Sequence, residues 1–278
     1  MKSRPDVIRS RDNVLVKRVA RLAESARERA TEGLGILEGC HLIRACLAAP
    51  RFGVVSLERI IVCETVIDLP EVRATLDAAT GVPQSLMAEG PFARLGPVSG
   101  PNAVLGLMRL PVQPWPEPEP VRAFELWLED VQDPGNVGTL IRTAAAAGVT
   151  AVRLSPGCAD PWSPKVLRAG MGGQFVVSIE ADADLERRSR IAPLTTHALA
   201  LTASGDLYDE QLARPLALVL GNEGAGLSAG LLANVHRPMR IRMPGAVESL
   251  NVAAAGAVAL FEVVRRERRL APLGTQGV

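Results

Sequence analysis

The sequence predicts an α/β protein in which a mostly parallel sheet follows a small, separate α/β domain. Three observations carry this. Short apolar runs such as Leu216-Ala-Leu-Val-Leu220 recur between stretches of helical spacing, a pattern that builds sheets covered on both faces. Pro111-Val-Gln-Pro-Trp-Pro-Glu-Pro-Glu-Pro120 holds five prolines in ten residues, which excludes helix and central strand and marks a stiff, extended linker. At 278 residues and 47% hydrophobic content, the chain can bury two cores. The expected organisation is a first domain over 1–110, a linker over 111–122, a second domain over 123–268 and a tail over 269–278.

In the first domain, residues 2–29 are rich in Arg and Lys, including Arg9, Arg11, Lys17 and Arg18. Asp12 or Asn13 caps a helix in which Leu15, Val19 and Leu22 repeat at helical spacing. The charge left on the opposite face serves equally as a solvated face or as a phosphate-contacting arm. Strands follow over 35–38, 57–62 and 103–108, with helices over 39–49 and 70–79 and a short helical turn at 92–95. These segments offer no phosphate loop, metal cluster or activated nucleophile, which suits binding better than catalysis.

In the second domain, strands are expected over 123–128, 151–154, 174–179, 198–201 and 216–220. A turn at Asp130–Asn136 leads into a helix over 137–147. Near the C-terminus two glycine-containing loops flank one further strand: Gly221-Asn-Glu-Gly-Ala-Gly226 on one side, Pro244-Gly245 on the other. Strands that stop in glycine let main chain approach a ligand closely, and ligands of parallel sheets collect at the carboxyl ends of strands. An alanine-rich helix runs from about Ser249 to about Arg268. Its small residues predict close packing against the sheet or a second subunit, and Arg265-Arg-Glu-Arg-Arg269 complements its dipole.

Composition narrows the function. Only 3% of residues are aromatic, so a nucleic-acid surface here cannot rest mainly on base stacking. The formal charge of +1 leaves local basic patches open. The four cysteines form no CxxC pair, which reads as buried thiols of a reducing compartment without a zinc cluster. No HExxH occurs, and no metal is expected. The charged N-terminus lacks an apolar signal core and no apolar stretch is long enough to span a membrane, so a cytoplasmic protein is expected.

Three stretches then line up: Asp133-Pro-Gly-Asn-Val-Gly-Thr-Leu-Ile-Arg142, Leu220-Gly-Asn-Glu-Gly224 and Ile241-Arg-Met-Pro-Gly-Ala-Val-Glu-Ser-Leu-Asn251. In this order they resemble the three motifs of the SpoU (TrmH) family of RNA ribose 2′-O-methyltransferases, within the SPOUT superfamily. The likeness covers essentially all of 123–268. Around Gly35 to Ala49 the first domain is similar to that family's RNA-binding domain, and the segment from Asp160 to Gly172 resembles rRNA-directed members. The resemblance implies a C-terminal trefoil knot that holds S-adenosylmethionine, and a homodimer with the active site near the subunit interface. It implies cofactor contacts from Leu220, Gly221, Asn222, Gly224, Ile241, Met243, Pro244, Ser249 and Leu250. Catalysis falls to Arg142, Asn136, Glu223, Ser249 and Asn251.

Physical chemistry qualifies those roles. A guanidinium is very hard to deprotonate, so Arg142 suits a phosphate or a developing alkoxide better than a proton; alone, it would read as a surface ion pair. Asn136 and Asn251 suit positioning. Glu223 is the acidic residue of the second motif, or simply a loop carboxylate that satisfies nearby N–H groups. Ser249 is expected to cap the last helix as well as line the site, and Lys165 and Arg168 to contact phosphates. The reading is 2′-O-methylation of RNA, with 23S ribosomal RNA favoured. A tRNA ribose methyltransferase, a self-protecting resistance methyltransferase and a non-catalytic RNA-binding or ribosome-assembly factor are the alternatives. A nucleotide-dependent dehydrogenase lacks its GxGxxG.

Overall fold

The computed structural model describes residues 6–49, 56–96, 100, 103–111 and 120–270. Most of the proline-rich linker (112–119) and of the C-terminal tail (271–278) lies outside them. The chain divides into two compact units, Met1–Trp115 with Trp162–Val176, and Pro116–Pro161 with Val177–Val278. The segment 162–176, inside the range expected for the second domain, clusters with the first unit.

The first unit contains β1 (Val7–Ile8), α1 (Val14–Glu24), α2 (Ala26–Glu32), β2 (Leu34–Glu38), α3 (Gly39–Ala48), β3 (Ser56–Cys63), α4 (Pro70–Ala78), β4 (Gln84–Met87), α5 (Glu89–Phe92) and β5 (Val104–Arg109). Its five-stranded sheet has the order β1-β4-β3-β5-β2. β4 runs parallel to β1 and β3, whereas β5 runs antiparallel to β3 and β2. Asn13 caps α1 by accepting the Leu15 N–H at 2.8 Å, and Val16, Val19 and Leu22 turn inward. Ser25 stops α1 and caps α2, so the basic N-terminal stretch folds as two helices. One of its cations is structural: Arg29 is buried and donates to the Leu22 carbonyl at 2.8 Å.

The later segment adds α6 (Pro134–Ala146) and β7 (Ala151–Leu154) in the second unit, then α7 (Pro164–Gly170) in the first. Leu167 and Phe175 enter the first unit's core, and Arg168 pairs with the Glu38 carboxylate. A strand was expected over 174–179. Instead Gly173–Phe175 forms a 3-10 turn after Gly172, whose φ is +92°, and only β8 (Ser178–Glu180) is extended. An apolar run such as Phe-Val-Val reads alike for a buried turn and a strand.

The second unit begins with β6 (Phe124–Leu128) and, beyond β8, continues through α8 (Leu185–Ile191), β9 (Thr195–Leu199), β10 (Gly205–Asp206), β11 (Leu216–Leu220), α9 (Ala229–Leu232), β12 (Arg237–Arg240) and α10 (Val252–Leu270). The seven strands have the order β10-β12-β9-β11-β6-β7-β8, and every neighbouring pair is parallel. Strands β6 and β11 are buried along their whole length. The strand expected between the glycine loops is β12, which ends at Arg240, so Ile241 to Met243 belong to the loop that follows. The last helix starts at Val252, later than the sequence suggested. Its small residues pack within the chain: a Cβ at Gly256 would lie 2.4 Å from Leu140 Cδ2 and 2.9 Å from Leu220 Cδ1.

A buried ion pair crosses this sheet. Arg153 on β7 donates to both oxygens of Glu125 on β6 at 2.7 Å, and the Trp127 indole adds a third bond at 2.7 Å. Burial alone would raise the Glu125 pKa, but the Arg153 and Trp127 bonds outweigh it and hold the carboxyl below its ordinary value. Such a pair is costly to break, because the surviving charge stays buried.

His197 on β9 is the opposite case. It is 1% exposed, and burial, reinforced by Arg237 and His236, pushes its pKa down to about 4. The unfolded chain takes up this proton near pH 6.5 while the folded chain does not. Stability should therefore fall as pH drops from about 6.5 to about 4, by on the order of 3 kcal/mol, and level off below that. Urea titrations across this range should show that slope in the wild type and lose it in His197→Leu. An unchanged slope in the variant would place the pH dependence elsewhere.

Candidate active site

The chain runs outward from β6 through β7 to β8, then returns to place β9 on the far side, with β11 between β9 and β6. That reversal opens a crevice at the carboxyl ends of neighbouring strands, where open parallel sheets bind ligands. Here the segments after β9, β11 and β12, with the first turns of α10, line a cleft of about 320 Å³. Its volume is in the range of small-molecule sites.

The segment after β11 is a tight hairpin. Asn222 and Gly226 exchange backbone hydrogen bonds at 2.9 and 3.0 Å. A Cβ on Gly221 would sit 2.4 Å from Gly226 backbone atoms, so glycine is required there by space. Asn222 uses its side chain inside the loop: Oδ1 accepts from Gly224 and Ala225 N–H at 2.9 Å, and Nδ2 donates to the Asp130 carbonyl at 2.8 Å. The hairpin's far end is fixed by Glu129, which accepts from the Ser228 N–H and hydroxyl at 2.7 Å.

Three of the predicted residues meet in one hydrogen-bonded chain. Asn251 caps α10, its Oδ1 accepting from Ala253 and Ala254 N–H at 2.9 and 3.3 Å. That fixes its Nδ2 as a donor to Asn136 Oδ1 at 3.0 Å. Asn136 Nδ2 in turn donates to Glu223 Oε1 at 3.0 Å. Glu223 also accepts from the backbone N–H groups of Gln132 and Asp133, both at 3.4 Å. Burial pushes its pKa up, but the bonds from Asn136 and these amides prevail and hold it below the ordinary carboxylate value. Glu223 thus ties the turn before α6 to the hairpin after β11, and Asn251 ties both to α10.

Of the residues expected to hold the cofactor, Leu220, Gly221, Asn222 and Gly224 line the cleft from the hairpin side. Ile241, Met243, Ser249 and Leu250 line it from the loop after β12. Pro244 is not among its walls. Asn222 contributes main chain, since its amide is committed to the loop. Ser249 does not cap α10; Asn251, two residues further on, does. Sequence reasoning missed Leu199 to Thr202 and Arg240. The strand was expected to continue to Leu201, which hid the turn after β9 as sheet.

Arg142 stands apart. It lies six residues beyond Asn136 on α6, about 240° around the helix, exposed and outside the cleft lining. Among the described residues its guanidinium has no hydrogen bond or ion pair. The expected RNA contacts in the first unit divide by their partners. Arg18 is committed to Glu32 at 2.5 Å and Glu58 at 3.0 Å, and Arg168 to Glu38; both hold the fold. Lys17 pairs with Asp12 at 2.9 Å and Arg9 with Glu64 at 3.4 Å, on exposed side chains where such pairs are weak. Arg11 and Lys165 are exposed and carry no ion pair among the described residues.

Among the described residues no group of three or more His, Cys, Asp or Glu is placed to hold a metal ion, and no helix is long and apolar enough to cross a membrane. All four cysteines are free thiols, with Cys158 the least buried.

Comparison with known proteins places this geometry. A family model described as the SpoU rRNA Methylase family matches residues 123–261. The chain is 32% identical over 269 residues to an uncharacterized tRNA/rRNA methyltransferase of Synechocystis sp., covering 94% of each chain. It is 30% identical to the 23S rRNA (guanosine(2553)-2′-O)-methyltransferase RlmP of Bacillus subtilis, covering 92% of this chain and 98% of that one. Its structure is similar to that of an AdoMet-bound rRNA methyltransferase from Sinorhizobium meliloti, with a TM-score of 0.80 at 28% identity over 94% of this chain and 98% of the other. With a relative matched along nearly its whole length, and the family model lying across all three loops of the cleft, the chain belongs to the SpoU rRNA methylase family.

Proposed function

We propose that this protein is an S-adenosylmethionine-dependent RNA methyltransferase that modifies a ribose 2′-hydroxyl, with 23S ribosomal RNA as its substrate. The observation that carries the proposal is the chain Asn251–Asn136–Glu223, which binds three family motifs together around the cleft. The named activity of the B. subtilis relative supports the choice of RNA.

The cleft fits the cofactor. Leu199, Leu220, Ile241 and Leu250 present apolar walls suited to a flat base, while the glycines of the hairpin leave main chain open to its polar edges. When bound, S-adenosylmethionine supplies an electrophilic methyl on a positively charged sulfur. The protein's contribution is then alignment and charge. Asn136, Glu223 and Asn251 fix the loops that set the geometry. Glu223 is a weaker base than an ordinary carboxylate and its oxygens already accept hydrogen bonds, so it serves as a clamp and not as the proton acceptor. Ser249 lines the cleft and suits the ribose hydroxyl.

Arg142 acts on the RNA, holding the phosphate beside the target ribose and stabilising the oxygen as its proton leaves. Its place outside the cleft supports a homodimer in which the arginine of one subunit serves the site near its partner. The same reading carries the family's C-terminal trefoil knot, a catalytic domain over 123–268, an RNA-binding domain over 1–110, and work in the cytoplasm. Arg11 and Lys165, exposed and without an ion pair among the described residues, are the cations best suited to phosphate contacts.

Transfer of labelled methyl from S-adenosylmethionine to unmodified 23S rRNA, tRNA and a ribosomal precursor tests the proposal. Label at one ribose of 23S rRNA is expected. Label in tRNA alone would overturn the substrate, and none in any RNA would favour a binding factor. Arg142→Ala should lower turnover by about 100-fold, the scale of losing one transition-state donor, while cofactor affinity stays within twofold. Retained turnover would remove Arg142 from the reaction. Glu223→Gln should weaken cofactor binding and slow transfer, yet keep the acidic limb of the rate profile. Loss of that limb would instead make Glu223 the base.

A further inference from the structure

We infer that Arg240 is the anion-binding residue of the cleft and pairs with the carboxylate of the cofactor's methionyl group. The inference rests on the methyltransferase reading above. Among the residues that line the cleft, Arg240 is the single cation and Glu223 the single anion. The other charged and amide side chains of the cleft, Glu223 and Asn222, are already engaged. Glu223 accepts from Asn136 and from backbone amides. Asn222 has both ends of its amide bonded within the loop system.

The carboxylate paired in register with Arg240 on the neighbouring strand is also taken. Asp206 on β10 is in register with Arg240, but its Oδ2 accepts from Arg242 Nε at 3.0 Å and its Oδ1 from the Tyr208 N–H at 2.9 Å. Arg242, two residues on, is therefore held outside the cleft, whereas Arg240 is exposed at the cleft wall. Its carbonyl accepts from the Leu207 N–H at 2.9 Å, but among the described residues the Arg240 guanidinium has no hydrogen bond or ion pair.

The cofactor's charges decide which of its groups can lie there. S-adenosylmethionine carries a sulfonium, an ammonium and a carboxylate. A guanidinium repels the first two and offers the carboxylate two parallel donors. The apolar walls lower the local dielectric and strengthen that attraction, although the open face limits it. Arg240 thus also sets the direction of the cofactor, keeping its sulfonium away from β12.

Calorimetric titration of the full-length protein with two ligands tests this. S-adenosylmethionine should bind Arg240→Ala about tenfold more weakly than wild type, the scale of one partly exposed charge-assisted bond. Decarboxylated S-adenosylmethionine, which keeps the sulfonium and ammonium, should bind both proteins equally or bind the variant more tightly. Arg240→Lys should restore part of the loss. Equal weakening for both ligands, or no weakening for S-adenosylmethionine, would overturn the assignment. Failure of the wild type to bind S-adenosylmethionine would overturn the methyltransferase reading itself, and this inference with it.

Discussion

The candidate site is tied together by one carboxylate whose hydrogen bonds reach three separate segments of the chain. Glu223 gathers N–H groups from the turn before α6 and from Asn136, and through Asn136 it reaches the cap of α10. Each amide in the relay has its orientation forced by the next, so the two asparagines could not be turned over without breaking a bond at either end. Hydrogen bonds to charged groups contribute about 1.5–3 kcal/mol when shielded, and less where water competes. Glu223 is exposed, so its bonds suffice to order loops but not to hold a domain. The dry Glu125–Arg153 pair, spanning β6 and β7, belongs to the opposite regime and supports the sheet itself.

This division explains how a loop-built site can be accurate. The hairpin after β11 is fixed at both ends, by Asp130 on Asn222 and by Glu129 on Ser228. The loop after β12 leaves Val247 and Leu250 63% and 38% exposed. The hydrogen-bonded hairpin therefore faces a wall in which the apolar Leu250 is open to solvent.

Much of this was legible in the amino-acid order, and the exceptions have physical causes. Ala151–Leu154 and Leu216–Leu220 are apolar runs bounded by turn residues, and both are strands to the residue. β4 escaped notice because Gln84-Ser-Leu-Met87 has only two apolar residues, and its pairing is dictated by distant β1 and β3. Asn136, Glu223 and Asn251 were found through their motifs, though contacts 87 and 115 residues apart leave no local trace. Arg240 was anonymous for the same reason. In Arg240-Ile-Arg242 nothing distinguishes the two cations until Asp206 is seen to take one of them. Arg18 and Arg168 likewise read as free charge until Glu32, Glu58 and Glu38 came into view.

The detour of residues 162–176 bears on how the chain matures during synthesis. The first unit takes Leu167 and Phe175 into its core and needs Arg168 beside the buried Glu38. A nascent chain that has emerged only as far as the proline-rich linker still lacks those parts. The unit that comes first in the sequence is thus completed only after β6, α6 and β7 of the other have left the ribosome. Any fragment cut at the linker would leave the Glu38 carboxylate without Arg168, its counter-ion among the described residues.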